Sequence, residues 1–245
     1  MSYILFIDSG IGGLTTLAQT QKIVKAKYLY YADNLYAPYG NKSMEFIQNR
    51  LVTIISKLIR KYPIQIVVLA CNTATTTSIS FLRNKFQNLN FIGTEPAVKT
   101  AIDQHFKAPA IIATPQTIMQ LQHTNLNKIP CYNLASHIEN YFISPTQNNK
   151  LRLLKDLFSI VNNINDNDCL ILGCTHYSLL KDFFKKLNIS TLDGNIGVAN
   201  QIKLKIQNYQ ANTSIKIILS SKKSKELQKY KKILNQILAN RINLW

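Results

Sequence analysis

The sequence contains no apolar run close to the ~18 residues that a membrane-spanning helix requires. Its first apolar run, Tyr3 to Ile7, follows no basic segment and leads directly into Asp8, which favours a strand over a secretion signal. The composition, 46% hydrophobic and 17% charged over 245 residues, is typical of a soluble globular protein. We therefore expect a cytoplasmic protein without a membrane partner.

A C-x-x-C pair is also absent, although the chain contains four cysteines. Disulfide frameworks are typical of short secreted chains, and closely spaced cysteine pairs are typical of zinc sites. We therefore expect free thiols and no metal site. The thiols are those of Cys71, Cys131, Cys169 and Cys174.

Acidic residues are scarce. The chain contains 12 Asp and Glu but 29 Lys and Arg, which gives it a net charge of +17. Such a charge can indicate a nucleic-acid partner, an attraction for anions, or only a lysine-rich composition. The densest basic run, Lys222 to Lys232, is typical of the solvated face of a C-terminal helix, and Tyr209 and Tyr230 do not form a base-stacking platform by themselves. We do not expect a nucleic-acid partner, and the positive field favours an anionic substrate.

Short apolar runs alternate with segments of helical apolar spacing, which predicts an α/β fold with parallel strands. Helices are predicted over residues 14–24 and 44–60. Strands are predicted over residues 3–8, 28–32, 64–70, 110–113 and 169–173.

A weak internal repeat divides the chain into two halves. LACNT at 69–73 and LGCTH at 172–176 lie 103 positions apart, and Asp8-Ser9 and Thr114-Pro115 lie 106 positions apart. Two pairs at nearly the same offset predict two pseudo-symmetric lobes, each a mostly parallel sheet flanked by helices, with the active site in the cleft between them. The chain is expected to cross between the lobes near Gly93 to Pro96 and near Asp193 to Gly197.

Polar side chains and two thiols follow the predicted strands, at the edge where parallel sheets bind ligands. A thiol there faces the positive end of the following helix, which is expected to lower its pKa from about 8.5. Inverting a stereocentre requires a base on one face and an acid on the other, and two lobes can supply one thiol each. The residues at these strand ends are Asp8, Ser9, Cys71, Asn72, Thr73, Thr114, Cys174, Thr175 and His176.

Five segments in order along the chain resemble the successive motifs of the glutamate racemase family, in the aspartate/glutamate racemase superfamily. They are DSGIGGLTTL (8–17), ADNLYAPYGNKS (32–43), LACNTATT (69–76), TEPAVKTA (94–101) and LGCTHYSLL (172–180). Ser178 stands where the family usually has proline, and Gly194 stands where serine is common. The resemblance implies one lobe of residues 1–94 plus 207–245 and a second of residues 95–206.

The resemblance further implies an isomerase that interconverts L- and D-glutamate without a cofactor, supplies D-glutamate for peptidoglycan, and forms a homodimer. Cys71 would take the α-proton of D-glutamate with Asp8 as its partner. Cys174 would take that of L-glutamate, with His176 and Glu139 as partners. By the same resemblance the substrate contacts come from Ser9, Pro38, Tyr39, Gly40, Asn72, Thr73, Thr114, Thr117 and Thr175.

Four other functions remain open from the sequence. An aspartate racemase usually opens with a GGMG-type turn, which this chain lacks. A nucleotide-binding enzyme would use the glycines at positions 10, 12 and 13, but these match neither G-x-G-x-x-G nor a GK[ST] loop. A nucleic-acid-binding protein on the same scaffold would use the net charge. A redox sensor would join Cys71 to Cys174 on mild oxidation.

Overall fold

The computed structural model describes residues 2–121, 126–164, 166–206 and 212–242. The first sheet has the order β4-β3-β1-β2-β9 and the second β6-β5-β7-β8, and every pair of neighbouring strands is parallel. The prediction of a two-lobed α/β fold is therefore confirmed. The strands of the described residues are β1 (Tyr3–Asp8), β2 (Lys27–Ala32), β3 (Ile64–Leu69), β4 (Asn90–Gly93), β5 (Pro109–Ala113), β6 (Asn127–Pro130), β7 (Cys169–Leu172), β8 (Thr191–Leu192) and β9 (Ser214–Leu219).

Helices cover the faces of both sheets, which is why the central strands are almost entirely apolar. None of the helices in the described ranges is long and apolar enough to cross a membrane. Short 3-10 turns occupy Asn34–Tyr36, Tyr39–Asn41 and Tyr177–Leu180. The helices are α1 (Gly13–Gln21), α2 (Met44–Ile59), α3 (Asn72–Lys85), α4 (Val98–Asp103), α5 (Pro115–Gln120), α6 (Leu134–Ile143), α7 (Gln147–Asn163), α8 (Lys181–Lys186), α9 (Asn195–Lys205) and α10 (Ser224–Leu238).

The chain leaves the first sheet after β4 and enters the second at β5. After β8, helix α9 packs back against α1 and β4 of the first lobe. Its first residue, Asn195, accepts a hydrogen bond from the hydroxyl of Thr16 at 2.6 Å. The lobe limits of 1–94 plus 207–245 and 95–206 stay a prediction, and residue 207 lies outside the described residues.

Helix α10 connects the two lobes, because it packs against α1 and β9 on one side and against α6 on the other. Tyr230, Ile233 and Leu234 form its buried stripe. The lysines of the run from Lys222 to Lys232 are exposed, as the sequence predicts for a solvated helix face. Tyr209, the other tyrosine considered for base stacking, lies outside the described residues.

Candidate active site

The two thiols occupy equivalent positions in the two lobes. Cys71 lies two residues after the end of β3, and Cys174 lies two residues after the end of β7. Both are buried, with 6% and 5% of their surface exposed. Negative charge on Cys174 raises the pKa of Cys71, after burial and Asp8 in importance, so the thiols lie within electrostatic range of each other. The fold thus brings one sulfur from each lobe to a common site.

The thiol of Cys71 sits at the N-cap of α3, where the backbone N–H groups of Thr73 and Ala74 lower its pKa. Burial has the larger effect, and together with the charge of Asp8 it raises the pKa of Cys71 well above the usual range. The expectation that the helix N-terminus lowers the net pKa is therefore wrong for this thiol, because desolvation outweighs the helix. Cys71 holds its proton and is suited to donate it.

Asp8 ends β1 beside the β3 end, where the N–H of Ala70 donates to the carbonyl of Ile7 at 2.8 Å. Its carboxylate is fully buried and accepts hydrogen bonds from the N–H of Gly10 at 2.7 Å and from the hydroxyl of Thr175 at 3.1 Å. Burial raises the pKa of Asp8 to about 6, although the charge of His176 opposes the shift. Asp8 is therefore ionised near neutral pH and connects the first thiol to the second lobe.

On the second side, Nδ1 of His176 lies 3.9 Å from Sγ of Cys174. Nε2 of the same ring lies 2.8 Å from Oε2 of Glu139. Burial lowers the pKa of His176, but its hydrogen bonds to Cys174 and Glu139 and their charges raise it well above its usual value. The ring is therefore an imidazolium that favours negative charge on the neighbouring sulfur.

The carboxylate of Glu139 is held by three parts of the chain. Oε2 also accepts from the N–H of Ile11 at 2.9 Å, and Oε1 accepts from the hydroxyl of Tyr230 at 2.9 Å. A side chain at Gly10 would collide with this carboxylate. The sequence gives no signal for Tyr230, because it contacts Glu139 across 91 positions and lies among solvated lysines.

Hydroxyl groups join the two lobes beside the thiols. The hydroxyls of Thr73 and Thr114 lie 3.0 Å apart, and those of Thr114 and Thr117 also lie 3.0 Å apart. The side chain of Asn72 is turned to the carbonyl of Thr94, to which it donates at 3.2 Å. All of these predicted substrate contacts are buried, as is Ser9. The site therefore offers neutral donors from both lobes.

The loop of Pro38, Tyr39 and Gly40 reaches the same place from the first lobe. A Cβ on Gly40 would lie 2.8 Å from Cγ2 of Thr114, so the loop backbone packs directly on the second lobe. The hydroxyl of Tyr39 donates to Asp33 at 2.7 Å, which leaves its backbone as the group available to a substrate. Asp33 is itself paired with Arg50 at 2.6 Å.

No family model matches the chain. A glutamate racemase of Clostridium botulinum (strain Alaska E43 / Type E3) is 31% identical over an alignment 250 positions long, which covers 94% of this chain and 95% of that protein. Another, of Aliarcobacter butzleri, is 37% identical over an alignment 194 positions long, which covers 74% of this chain and 73% of that protein. The chain belongs to the glutamate racemase family.

Solved glutamate racemases share the fold over nearly the whole length. The Escherichia coli enzyme, in complex with L-glutamate and the activator UDP-MurNAc-ala, superimposes with a TM-score of 0.79 at 23% identity, covering 96% of this chain and 95% of that chain. A Bacillus anthracis glutamate racemase gives a TM-score of 0.78 at 25% identity, and the superposition covers 96% of this chain and 94% of that chain. The two-lobed architecture is thus that of the glutamate racemase family.

Two departures from the glutamate racemase pattern have structural consequences outside the thiols. Gly194 packs so closely on the carbonyl of Glu95 that a serine side chain would collide with it. Ser178 is buried, and among the described residues its hydroxyl has no hydrogen-bond partner.

The four cysteines are free, and no group of three His, Cys, Asp or Glu within the described ranges could hold a metal ion.

Proposed function

We propose that this chain interconverts L- and D-glutamate without a cofactor, with Cys71 and Cys174 as the two proton-transfer groups. The observation that carries the proposal is the pair of buried thiols, one from each lobe, whose neighbours Asp8 and Thr175 are joined by a hydrogen bond of 3.1 Å between the lobes. Each has a different neighbour, a carboxylate on the first side and an imidazolium on the second. Such unlike environments suit one thiol as acid and the other as base.

In the direction from L to D, Cys174 acts as the base. Its thiolate, stabilised by protonated His176, takes the α-proton of L-glutamate. Cys71, which burial and Asp8 keep protonated, donates its proton to the opposite face of the carbanion. One proton has then moved from Cys71 to the substrate and one from the substrate to Cys174.

In the direction from D to L the roles reverse, so Cys71 must first give its proton to Asp8, and Cys174 must take from the neighbouring imidazolium of His176 the proton that it then donates. Asp8 is the neighbouring acceptor, with a pKa raised to about 6 by burial. The transfer is uphill in the empty site, because the thiol holds its proton more tightly than the carboxylate does. The α-ammonium of bound glutamate offsets the negative charge on this side and lowers that cost.

The two carboxylates of glutamate are held by neutral donors from both lobes. We assign this task to the hydroxyls and backbone N–H groups at the strand ends, with the Pro38–Gly40 backbone closing one side. Hydrogen bonds from neutral donors to carboxylates are strong when the site excludes water. The donors are those of Ser9, Asn72, Thr73, Thr114, Thr117 and Thr175.

The test is a pair of single substitutions, Cys71→Ser and Cys174→Ser, with Cys169→Ser as the matched control, because Cys169 is a buried thiol at the start of β7, at the opposite end of that strand from Cys174. Each of the first two should lower racemisation of L-glutamate by roughly 10²- to 10⁴-fold, the usual contribution of a positioned acid or base. Loss of optical rotation measures the rate, with L-aspartate as the substrate that should stay unchanged. Activity near that of the wild type in either variant, while the control is also active, contradicts the two-thiol scheme.

We further propose that the D-glutamate supplies peptidoglycan synthesis and that the enzyme works in the cytoplasm as a homodimer. Leu151 and Phe158 support an interface, because they lie two turns apart on one face of α7 and are 53% and 62% exposed. Sedimentation equilibrium would test this assembly, with a dimer giving twice the 27.9 kDa of one chain.

A further inference from the structure

We propose that Tyr230 is a positioning residue for the second proton-transfer group. Its hydroxyl holds the Glu139 carboxylate in place beneath His176, so that the C-terminal helix α10 controls how reactive the Cys174 thiol is. This inference rests on the proposed function only for its link to turnover. Its first prediction, the reactivity of Cys174, concerns the thiol itself.

The contacts form one continuous chain from α10 to the sulfur. The Tyr230 hydroxyl donates to Oε1 of Glu139 at 2.9 Å, and Oε2 of Glu139 lies 2.8 Å from Nε2 of His176. The opposite nitrogen of that ring, Nδ1, lies 3.9 Å from Sγ of Cys174. Tyr230 is only 1% exposed, although it lies in a helix whose other face is lined with lysines.

The two carboxylate oxygens of Glu139 have different numbers of hydrogen-bond donors. Oε2 accepts hydrogen bonds from Nε2 of His176 and from the N–H of Ile11. The one donor that the described residues supply to Oε1 is the Tyr230 hydroxyl. Without the phenol, Oε1 has no donor among the described residues, and the carboxylate is free to turn away from Nε2. His176 then loses the hydrogen bond and the charge of Glu139 that raise its pKa, and the imidazole becomes neutral.

A neutral imidazole would no longer stabilise negative charge on Cys174. Cys71, Cys131 and Tyr177 interact electrostatically with Cys174. Two further groups interact electrostatically with Glu139, namely Asp8 and the buried phenol of Tyr30. Neither donates a hydrogen bond to Glu139, since Tyr30 donates to the carbonyl of Gly10 at 2.7 Å. Tyr230 is thus the phenol that acts on this carboxylate.

A buried tyrosine elsewhere provides the matched control. Tyr28 is fully buried in β2, and its hydroxyl donates to the carbonyl of Val24 at 2.5 Å, with no contact to the thiols or their partners among the described residues. Tyr230→Phe and Tyr28→Phe each remove one oxygen and one buried hydrogen bond. A merely structural role for Tyr230 predicts that the two variants behave alike.

The measurement is the rate of alkylation of each cysteine by iodoacetamide at pH 7.5, followed by peptide mass spectrometry. Tyr230→Phe should slow alkylation of Cys174 about five-fold, the effect expected of one hydrogen bond, and leave Cys71 unchanged. Tyr28→Phe should change neither rate. Glu139→Gln should slow Cys174 at least as much, and adding Tyr230→Phe to it should cause no further loss, because the tyrosine acts through the carboxylate.

Turnover provides the second readout. Tyr230→Phe should lower kcat for glutamate while KM changes less, and Tyr28→Phe should leave both near the wild type. Unchanged alkylation of Cys174 in Tyr230→Phe, or equal slowing of Cys71, overturns the inference. If Tyr230→Phe fails to fold, unchanged Cys174 alkylation in Glu139→Gln overturns it. A wild-type protein inert toward glutamate contradicts the proposed function, whereas the alkylation pattern still tests Tyr230.

Discussion

At the scale of single residues, two buried aspartates at strand ends differ in their partners. Asp33 follows β2 and is paired with the guanidinium of Arg50 at 2.6 Å. Asp8 ends β1, and its hydrogen-bond donors among the described residues, Gly10 and Thr175, are neutral. The charge of His176 lowers its pKa, but burial has the larger effect and raises it to about 6. An ionised carboxylate kept in such a place lowers stability, which is common where a protein retains a group for chemistry.

Asp8→Asn should therefore stabilise the protein at neutral pH. Because the folded-state pKa of Asp8 is raised from 3.8 to about 6, the favourable protonated state is lost as the pH rises through 6. The shift corresponds to about 3 kcal/mol of unfolding free energy at pH 7.5, and the difference between variant and wild type should vanish near pH 4. Urea unfolding at pH 4, 5.5 and 7.5 measures it.

Asp33→Asn is the control for this prediction, since it leaves the partly buried Arg50 without its partner and should destabilise the protein. If both substitutions lower the free energy of unfolding equally at pH 7.5, burial of the ionised Asp8 carboxylate does not destabilise the folded protein.

Residue positions were easier to predict than residue environments. Cys71, Cys174, Asp8 and His176 could be singled out because each stands at or just after the end of an apolar run, and parallel strands end at a common edge. The pKa of Cys71 could not be predicted, because it depends on how much protein covers the thiol. Tyr230 could not be found, since its contact with Glu139 depends on the packing of α10.

At the scale of elements, the turn between β1 and α1 is packed against the second lobe. A Cβ on Gly12 would lie 2.6 Å from both the backbone N and Nδ1 of His176 and 2.7 Å from the hydroxyl of Thr175. A Cβ on Gly13 would lie 2.8 Å from Cβ of Asp8. The glycines that could have suggested a nucleotide loop therefore allow the close approach of Asp8, Thr175 and His176.

Gly12→Ala should displace His176 and lower kcat/KM for glutamate by roughly 100-fold, since small misplacements at a reacting centre have effects of this size. In contrast, a Cβ at Gly197, in the exposed part of α9, would have no heavy atom of the described residues within 4 Å, so Gly197→Ala is the control. It should keep full activity and gain about 0.5–1 kcal/mol of stability from higher helix propensity. Steady-state kinetics and thermal melts compare the two, and an active Gly12→Ala would show that His176 is not held by this turn.

The central strands were predictable to within a few residues, whereas the edge strands and the long helices α3 and α7 were not. The apolar runs of β1 and β3 match their strands, because both faces are covered by helices. The short strands β4, β6 and β8 escape prediction, since an edge strand needs few apolar residues. The helix predicted to reach Val24 ends at Gln21, because Val24 reaches the core from the turn that follows.

At the scale of the whole molecule, the internal repeat predicted two lobes, and the structure contains two parallel sheets. The internal repeat does not predict two features of how the lobes are joined. Helix α9 packs on the first lobe through Asn195, and helix α10 contacts both lobes and carries Tyr230 to the second-side carboxylate. Contacts of this kind join residues far apart in sequence, so that local patterns do not encode them.

The central claim is that two different groups, one from each lobe, serve the opposite faces of a single α-carbon. Its most direct test is the early time course of L-glutamate racemisation in deuterated water, with deuterium at Cα followed separately in each enantiomer. The account predicts that the D-glutamate formed carries solvent deuterium while the remaining L-glutamate still carries its original hydrogen. D-glutamate that retains that hydrogen, or L-glutamate that gains deuterium as fast as the product forms, would contradict it.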